Sequence, residues 1–188
     1  MAILVMERQQ TIELLRWGDS KAWEDVVLQY QMPLSRYLYN MVTDKELARE
    51  LTQDTFLEAY QAMPKTAGEL NLKAWLYRIA TNNAIQVLRR RKLISWIPWA
   101  EEMTIPEETY NSEDSLAQRE LVRSVLNKLP GKYMAVLLLH DYQGFNCQEI
   151  GEMLNISPDA SKKRLARARG MFRDAYEMLE RRGESSEV

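Results

Sequence analysis

The sequence predicts an all-α fold made of two small helical domains that are joined by an acidic linker. Residues that favour helices are abundant, whereas the 188 residues include only 7 glycines and 6 prolines. A hydrophobic content of 46% is ample for packed cores. Between Leu93 and Gln118 every charged residue is acidic, and two prolines interrupt the stretch. Such a stretch is long for a connection inside one compact domain. We therefore expect domains at residues 1–94 and 114–188 with an acidic linker at 95–113, and we expect the whole of Leu93–Gln118 to be poorly structured or extended.

The first domain is predicted to consist of several helices, because helical periodicity extends from Thr11 to Lys92. Gly18-Asp19-Ser20 interrupts this pattern, and Asp19 or Ser20 is suited to cap the helix that follows. Thr43-Asp44 provides a similar start signal. Pro64 to Gly68 forms the next break, after which a further helix begins between Leu70 and Lys73.

The second domain is predicted to contain a helix-turn-helix between Gln148 and Gly170. Helices resume near Asp114, and breaks follow at residues 129–131 and 143–144. Gly151 is a small residue at which a second helix could cross closely. Ser157 is placed to cap that second helix, with Pro158 at its first position, where the missing N–H is harmless.

The positive charges are concentrated in two runs that contain no acidic residue. Lys73–Lys92 carries six cations, and Ser161–Arg173 carries another six. The formal net charge of −2 and the sequence pI of about 5.6 conceal this distribution. Because electrostatic attraction depends on where cations cluster, the distribution favours a nucleic-acid binder even though the whole chain is slightly acidic.

The second basic run lies on the predicted recognition helix of the helix-turn-helix. At 100° per residue its apolar side chains share one face, and a different face carries Lys162, Lys163, Ala166 and Arg167. This partition fits insertion into a DNA major groove, with Arg164 and Arg169 placed for phosphates. The alternative is a solvated basic surface helix, which charge alone would favour. The cap, the small residue and the separation of faces together favour DNA binding.

The first basic run is also two-sided. One stripe is apolar, and another combines an indole, amides and guanidinium groups, followed by further arginines. Amides can bond base edges, aromatics can stack on unpaired bases, and cations can follow phosphates. For Trp75 alone, a partly buried core position is an equally good interpretation. The residues of this candidate surface are Trp75, Arg78, Asn82, Gln86, Arg89, Arg90 and Arg91.

Three blocks, in this order along the chain, resemble the extracytoplasmic-function group of bacterial sigma factors, in the sigma-70 superfamily. Residues 48–56 (ARELTQDTF) are similar to the family's helix that binds core RNA polymerase. Residues 75–82 (WLYRIATN), with the following RRRK, resemble its promoter-melting helix. Leu129-Pro130, Glu149-Ile150, Ser157-Pro158 and the run RLARAR at 164–169 resemble its second DNA-binding domain.

The resemblance implies a transcription initiation factor that binds core RNA polymerase, reads the −10 and −35 promoter elements and assists promoter melting. It implies polymerase contacts at Glu50, Gln53, Asp54 and Phe56. It also implies a base-capturing loop within Pro64–Leu72, where Thr66 replaces an aromatic residue. The implied partners are core RNA polymerase, double-stranded and melted promoter DNA, and an anti-sigma factor.

Other function classes lack supporting residues in the sequence. With one cysteine, Cys147, no internal disulfide or multi-cysteine zinc site can form. No metal-ligand spacing, Gly-rich phosphate loop or nucleophile–base pair is present, so we expect no catalytic residue, metal or cofactor. No twenty-residue apolar run occurs, and the apolar N-terminus is too short for a signal peptide, so we expect a cytoplasmic protein without membrane insertion.

Two interpretations remain open at the level of the sequence. The runner-up function is an ordinary DNA-binding regulator that uses only its C-terminal domain, with the N-terminal helices as a dimerisation or sensing module. The apolar knot of Trp96, Pro98 and Trp99 lies in the linker. It could pack on the adjacent domain or dock on a partner, and packing is the simpler interpretation.

Overall fold

The structure of the protein is a computed structural model that describes residues 2–94 and 113–184. These residues form eight α-helices and no strand, which confirms the all-α prediction. The helices are α1 (Ala2–Arg16), α2 (Ser20–Val42), α3 (Lys45–Ala62), α4 (Leu72–Ile94), α5 (Glu113–Lys128), α6 (Gly131–Leu137), α7 (Cys147–Leu154) and α8 (Pro158–Glu184). Within the described ranges, no helix is long and apolar enough to cross a membrane.

The predicted start signals form the N-terminal caps of α2 and α3. The Asp19 side chain accepts a hydrogen bond from the Ala22 amide at 2.8 Å, and Asp44 accepts one from the Leu47 amide at 3.0 Å. Each bond satisfies an amide that has no partner within its helix. These two carboxylates therefore fix where α2 and α3 begin.

The N-terminal core lies where α2, α3 and α4 pack against one another. Tyr37 of α2 and Thr81 of α4 share a buried hydrogen bond of 2.7 Å, and both residues are fully buried. All three helices contribute fully buried apolar side chains to this core. The fully buried members are Leu34, Leu38, Met41, Ala59, Leu76, Ala80 and Ala84. The core thereby fixes which face of α4 stays exposed to solvent.

The C-terminal helices are arranged around α8, which packs against α5, α6 and α7. Between α6 and α7 the chain makes a wide π-helical turn, Leu138–Tyr142, in which the Gln143 amide donates to the Leu138 carbonyl at 3.0 Å. The helical periodicity of the sequence did not predict this turn. It matters for the site, because it contains His140 and Asp141, whose side chains face α8.

The two halves of the chain also contact each other, through α2 and α4. Tyr77 packs edge to face on Phe145, with ring centroids 5.4 Å apart. The Lys73 ammonium lies 4.7 Å from the Phe145 ring centroid and donates a hydrogen bond of 3.0 Å to the Gln143 carbonyl. The side of α4 that carries Lys73 and Tyr77 is therefore covered by the C-terminal half.

The acidic stretch lies mostly outside the described residues, because α4 ends at Ile94 and α5 begins at Glu113. The prediction that the whole of Leu93–Gln118 is poorly structured or extended is wrong at both edges, whereas the prediction that helices resume near Asp114 is confirmed. Leu93, Ile94 and residues 113–118 are helical. At the C-terminal edge, good helix-forming residues follow without a break signal and continue into α5. The Trp96, Pro98 and Trp99 knot falls outside the described residues.

Candidate nucleic-acid interface

The predicted helix-turn-helix is present as α7, a short turn and α8. Asn146 and Glu149 form a reciprocal capping box at the start of α7. Asn155 ends α7 in the left-handed region, at φ 52°. The Ser157 hydroxyl then accepts a hydrogen bond from the Ala160 amide at 3.1 Å, and Pro158 is the first residue of α8. The cap predicted at Ser157 is thus confirmed.

Gly151 permits a close approach inside the motif, to the turn and to the first residue of the second helix. A Cβ atom added at Gly151 would lie 2.8 Å from the Ile156 carbonyl oxygen and 3.4 Å from the Pro158 nitrogen. The Ile156 amide also donates to the Gly151 carbonyl at 2.9 Å. The turn between α7 and α8 therefore folds back onto the backbone of α7.

Gly151→Ala is expected to destabilise the helix-turn-helix by about 1–3 kcal/mol, because the new methyl group would collide with backbone that cannot rotate away. Gly170→Ala is the matched control, since a Cβ at Gly170 of α8 meets no atom within 4 Å. That control is expected to be neutral or stabilising, because alanine favours a helix over glycine. Thermal unfolding monitored by circular dichroism measures both changes, and equal melting temperatures for the two variants would contradict this packing.

The recognition helix α8 separates its faces as the sequence predicted. Leu165 and Ala168 are buried in the core, and Ser161 is also fully buried. The opposite side consists of Lys162, Lys163, Ala166 and Arg167, all of them exposed. Arg164 is half-buried at the boundary between the faces. A cationic surface with a small residue at its centre is suited to approach base edges closely.

Arg169 is held by an ion pair, although the sequence indicated only a phosphate contact. Its guanidinium donates to both carboxylate oxygens of Asp141, at 3.0 and 2.5 Å. His140 Nδ1 lies 2.6 Å from the same carboxylate. The hydrogen bond from Arg169 lowers the pKa of Asp141, and the carboxylate in turn raises the pKa of Arg169. This contact ties α8 to the π-helical turn.

The candidate surface on α4 is largely accessible. Arg78, Asn82, Gln86, Arg89 and Arg90 are exposed. Their spacing of three or four residues aligns the first four along one side of the helix. Trp75 is half-buried and packs against the core, which agrees with the alternative interpretation of this residue. The polar members therefore form a continuous stripe.

Arg91 differs from its neighbours because it forms an ion pair with the cap of α3. Its guanidinium donates to the Asp44 carboxylate at 2.7 Å, and the Asp44 side chain is only 14% exposed. Hydrogen bonds from the Leu47 amide and from Arg91 lower the pKa of Asp44. Arg91 thus holds the end of α4 against the start of α3.

Asp44→Ala is expected to lower the free energy of unfolding by about 1 kcal/mol at neutral pH, because a helix cap is lost. Since the pKa of Asp44 is depressed in the folded state, its stabilisation is present above about pH 4. It is lost as the pH falls through the folded pKa. Melting temperatures of wild type and variant are therefore expected to converge in acid. A difference that stays constant down to pH 2 would contradict this assignment.

Thr66 lies in the loop between α3 and α4 and is half-buried. Its hydroxyl donates to the Met63 carbonyl at 2.7 Å and accepts from Arg16 Nε at 3.2 Å. Arg16 is a residue that the sequence analysis missed, and no local pattern indicated it.

The residues assigned to polymerase binding are divided between two environments on α3. Glu50, Gln53 and Asp54 are exposed, whereas Phe56 is half-buried and packs against the core. Leu57 shares the exposed face and is 57% accessible, although the sequence analysis did not single it out. An apolar residue four positions after Gln53, on an otherwise polar helix face, was the available signal.

Comparison with known protein families and sequences supports the resemblance. The profile of Sigma-70 region 2 matches residues 26–94, and that of Sigma-70, region 4 matches residues 119–171. RNA polymerase sigma factor SigZ of Bacillus subtilis (strain 168) is 30% identical over 156 residues, which cover 82% of this chain and 86% of SigZ. ECF RNA polymerase sigma factor SigW of the same organism is 29% identical over 184 residues, covering 92% of this chain and 97% of SigW.

Solved structures with low sequence identity share the fold. CnrH, solved in complex with the cytosolic domain of CnrY, has a TM-score of 0.69 at 20% identity, covering 89% of this chain and 96% of CnrH. RpoE of Bartonella quintana, solved with the anti-sigma factor NepR, has a TM-score of 0.69 at 22% identity, covering 84% and 98%. Regions 2 and 4 are matched in order, and the alignment covers most of SigZ. The chain therefore belongs to the extracytoplasmic-function group of the sigma-70 family, whose members are promoter-specific transcription initiation factors.

Proposed function

We propose that this chain binds core RNA polymerase, directs it to promoters and assists their melting. The observation that carries the proposal is the pair of exposed surfaces on α4 and α8, each opposite a buried apolar face of the same helix. In this proposal residues 1–94 bind polymerase and read the melted −10 element. Residues 114–188 read the −35 element in duplex DNA, and residues 95–113 link the two domains.

The proposed −35 contacts divide by chemistry. Lys162, Lys163 and Arg167 face base edges in the major groove, and Ala166 lets the backbone approach closely. Arg164 contacts phosphate. Arg169 does so as well, with Asp141 orienting its guanidinium. Because one end of that guanidinium is held by Asp141, its remaining N–H groups are presented in a fixed direction.

The proposed −10 contacts combine the exposed stripe of α4 with the preceding loop. Asn82 and Gln86 offer amides to unpaired bases, and Arg78, Arg89 and Arg90 follow the phosphates. Trp75 is half-buried and supports the stripe by packing beneath it. Arg91 can contact a DNA phosphate only by giving up its ion pair with Asp44. Thr66 belongs to the loop that receives a flipped base.

The proposed polymerase contact is the exposed face of α3. Glu50, Gln53 and Asp54 supply polar contacts around Leu57, whose exposed side chain is suited to the centre of an interface. Phe56 contributes indirectly, because its half-buried side chain packs α3 against the core. An anti-sigma factor would be a second partner. The chain would act beside polymerase in the cytoplasm and needs no cofactor or catalytic residue of its own.

Co-purification with core RNA polymerase tests this contact. Asp54→Lys is expected to weaken the complex at least tenfold, because it reverses a charge beside Leu57. Glu180→Lys, a charge reversal at an exposed position near the end of α8, is the matched control and is expected to bind normally. If the wild-type chain does not bind core polymerase, the proposed function is wrong, and an ordinary DNA-binding regulator becomes the better explanation.

A further inference from the structure

We propose that Arg16, the last residue of α1, is a positioning residue that shapes the loop between α3 and α4 and thereby sets base preference at the −10 element. The inference rests on the proposed function, because it assigns a task to a residue outside the surfaces that contact DNA. The family match to region 2 begins at residue 26, so Arg16 lies before it.

The Arg16 guanidinium makes two hydrogen bonds to the loop, across about fifty residues of sequence. Its Nε donates to the Thr66 hydroxyl at 3.2 Å, and its Nη2 donates to the Gly68 carbonyl at 2.7 Å. The Arg16 side chain is only 16% exposed; its bond to Thr66 is partly buried, whereas its bond to the Gly68 carbonyl lies at the surface. A planar guanidinium with donors in fixed directions can hold two acceptors at a defined separation.

The orientation of Arg16 is itself fixed from the side of α1. Its Nη1 forms an ion pair with Glu13, one helical turn earlier, at 2.5 Å. Each of the three guanidinium nitrogens therefore has a partner. Two of those partners belong to the loop and one belongs to α1. Because α1 holds the guanidinium in place, a displacement of the loop would break its bonds to Arg16.

The ends of the loop are fixed separately, so that Arg16 acts on its middle. Met63 begins a short 3₁₀ turn and is fully buried. Asn71 accepts a hydrogen bond from the Ala74 amide at 3.1 Å and so caps α4. Between them, Gly68 adopts a φ of +69°, a conformation that glycine tolerates best. The part of the loop that Arg16 holds thus contains the residue with the widest choice of backbone conformations.

The residues that alternate with the anchored positions are exposed. Lys65, Ala67 and Glu69 flank Thr66 and Gly68, and all three face solvent. Because neighbouring positions are fixed, the direction of these exposed residues is fixed as well. A pocket discriminates among bases only when its walls are held to within about 0.5 Å. Arg16 therefore controls the shape of the surface offered to a flipped base without touching that base.

The test measures base preference in the reconstituted holoenzyme. Labelled single-stranded non-template oligonucleotides, each with one −10 base replaced, are titrated with holoenzyme that contains wild-type chain, Arg16→Gln, Arg16→Lys or Thr66→Val. We expect Arg16→Gln to reduce discrimination at one base position roughly five- to tenfold, within the range that one recognition contact contributes. Affinity for core polymerase is expected to stay unchanged.

Two further variants separate positioning from general stability. Thr66→Val is expected to lose discrimination at the same base position. The double variant Arg16→Gln/Thr66→Val is expected to lose little more than Arg16→Gln alone, because the Arg16–Thr66 bond is already broken in Arg16→Gln. Arg16→Lys is expected to restore part of the preference, since one ammonium donor can still reach the loop. Arg181→Gln, which removes a surface ion pair on α8, is the matched control and is expected to keep full discrimination.

The outcomes distinguish this inference from the function on which it rests. If wild-type holoenzyme prefers particular −10 bases and Arg16→Gln keeps that preference, the positioning role is wrong while the proposed function stands. An equal loss of affinity for every oligonucleotide, together with a lower melting temperature, would show a purely structural role and also overturn it. If wild-type holoenzyme shows no base preference, the proposed −10 function itself fails.

Discussion

Lys163→Ala and Arg167→Ala are each expected to weaken promoter binding by roughly 1–3 kcal/mol, and only where particular −35 base pairs are present. Both side chains are exposed on the face of α8 opposite buried Leu165 and Ala168. A side chain that reads a base edge loses its effect when that base pair is changed. Binding of holoenzyme to duplexes with single −35 substitutions therefore measures the loss position by position.

Arg164→Ala provides the contrast for these two variants. Arg164 is assigned to a phosphate at the edge of the exposed face, so its loss is expected to weaken binding about equally on every sequence. It is also expected to reduce the slope of log affinity against log salt concentration by roughly 1. If Lys163→Ala and Arg167→Ala behaved like Arg164→Ala on all sequences, neither residue could be a base reader. The recognition helix would then supply only electrostatic attraction.

Asn82→Ala is expected to slow open-complex formation on duplex promoters by about tenfold or more while leaving polymerase binding intact. Asn82 lies on the exposed stripe of α4 between Arg78 and Gln86. Unstacking a base costs a few kcal/mol, so a surface that captures the base offsets this cost without nucleotide hydrolysis. Losing the amide contact removes part of that compensation. Stopped-flow fluorescence of a labelled −10 base measures the melting rate.

A promoter with a pre-melted bubble is the informative control for Asn82→Ala. Such a promoter needs no unstacking, so it is expected to restore activity in part, although the captured base still lacks its partner amide. Gln29→Ala, which removes an exposed amide from α2, is the matched variant and is expected to melt promoters normally. Melting of duplex promoters by Asn82→Ala at the wild-type rate would contradict the assignment.

Features determined by neighbouring residues could be predicted from the sequence. Asp19, Asp44 and Ser157 cap their helices as predicted, because an N-cap bond joins residues only two or three positions apart. The separation of faces on α8 also follows from periodicity alone. Such signals establish the fold class and the surfaces that face outward.

Features that depend on contacts between distant residues could not be predicted. The bonds from Arg16 to Thr66 and Gly68 span about fifty residues, and the ion pair from Arg169 to Asp141 spans 28. No periodic pattern connects such positions. The π-helical turn that positions Asp141 is equally hidden, because no break signal precedes Gln143-Gly144 and its sequence reads as a continuation of the helix before it.

Pro33 shows a different limit of prediction from sequence. It lies in the middle of α2, where proline normally interrupts a helix, yet α2 continues from Ser20 to Val42. Pro33 and Gln29, whose carbonyl loses its usual amide partner, are both exposed, so water can satisfy that carbonyl. Packing of the buried face of α2 then outweighs the local cost.

Run-off transcription with core RNA polymerase over a promoter library tests the central claim most directly. The chain is expected to direct initiation from a defined subset of promoters that share −10 and −35 sequences. Lys163→Ala is expected to relax selection at the −35 element, and Asn82→Ala to reduce initiation on duplex templates. Transcription that core polymerase performs equally well with and without the chain, or that starts without regard to sequence, would contradict a promoter-specificity role.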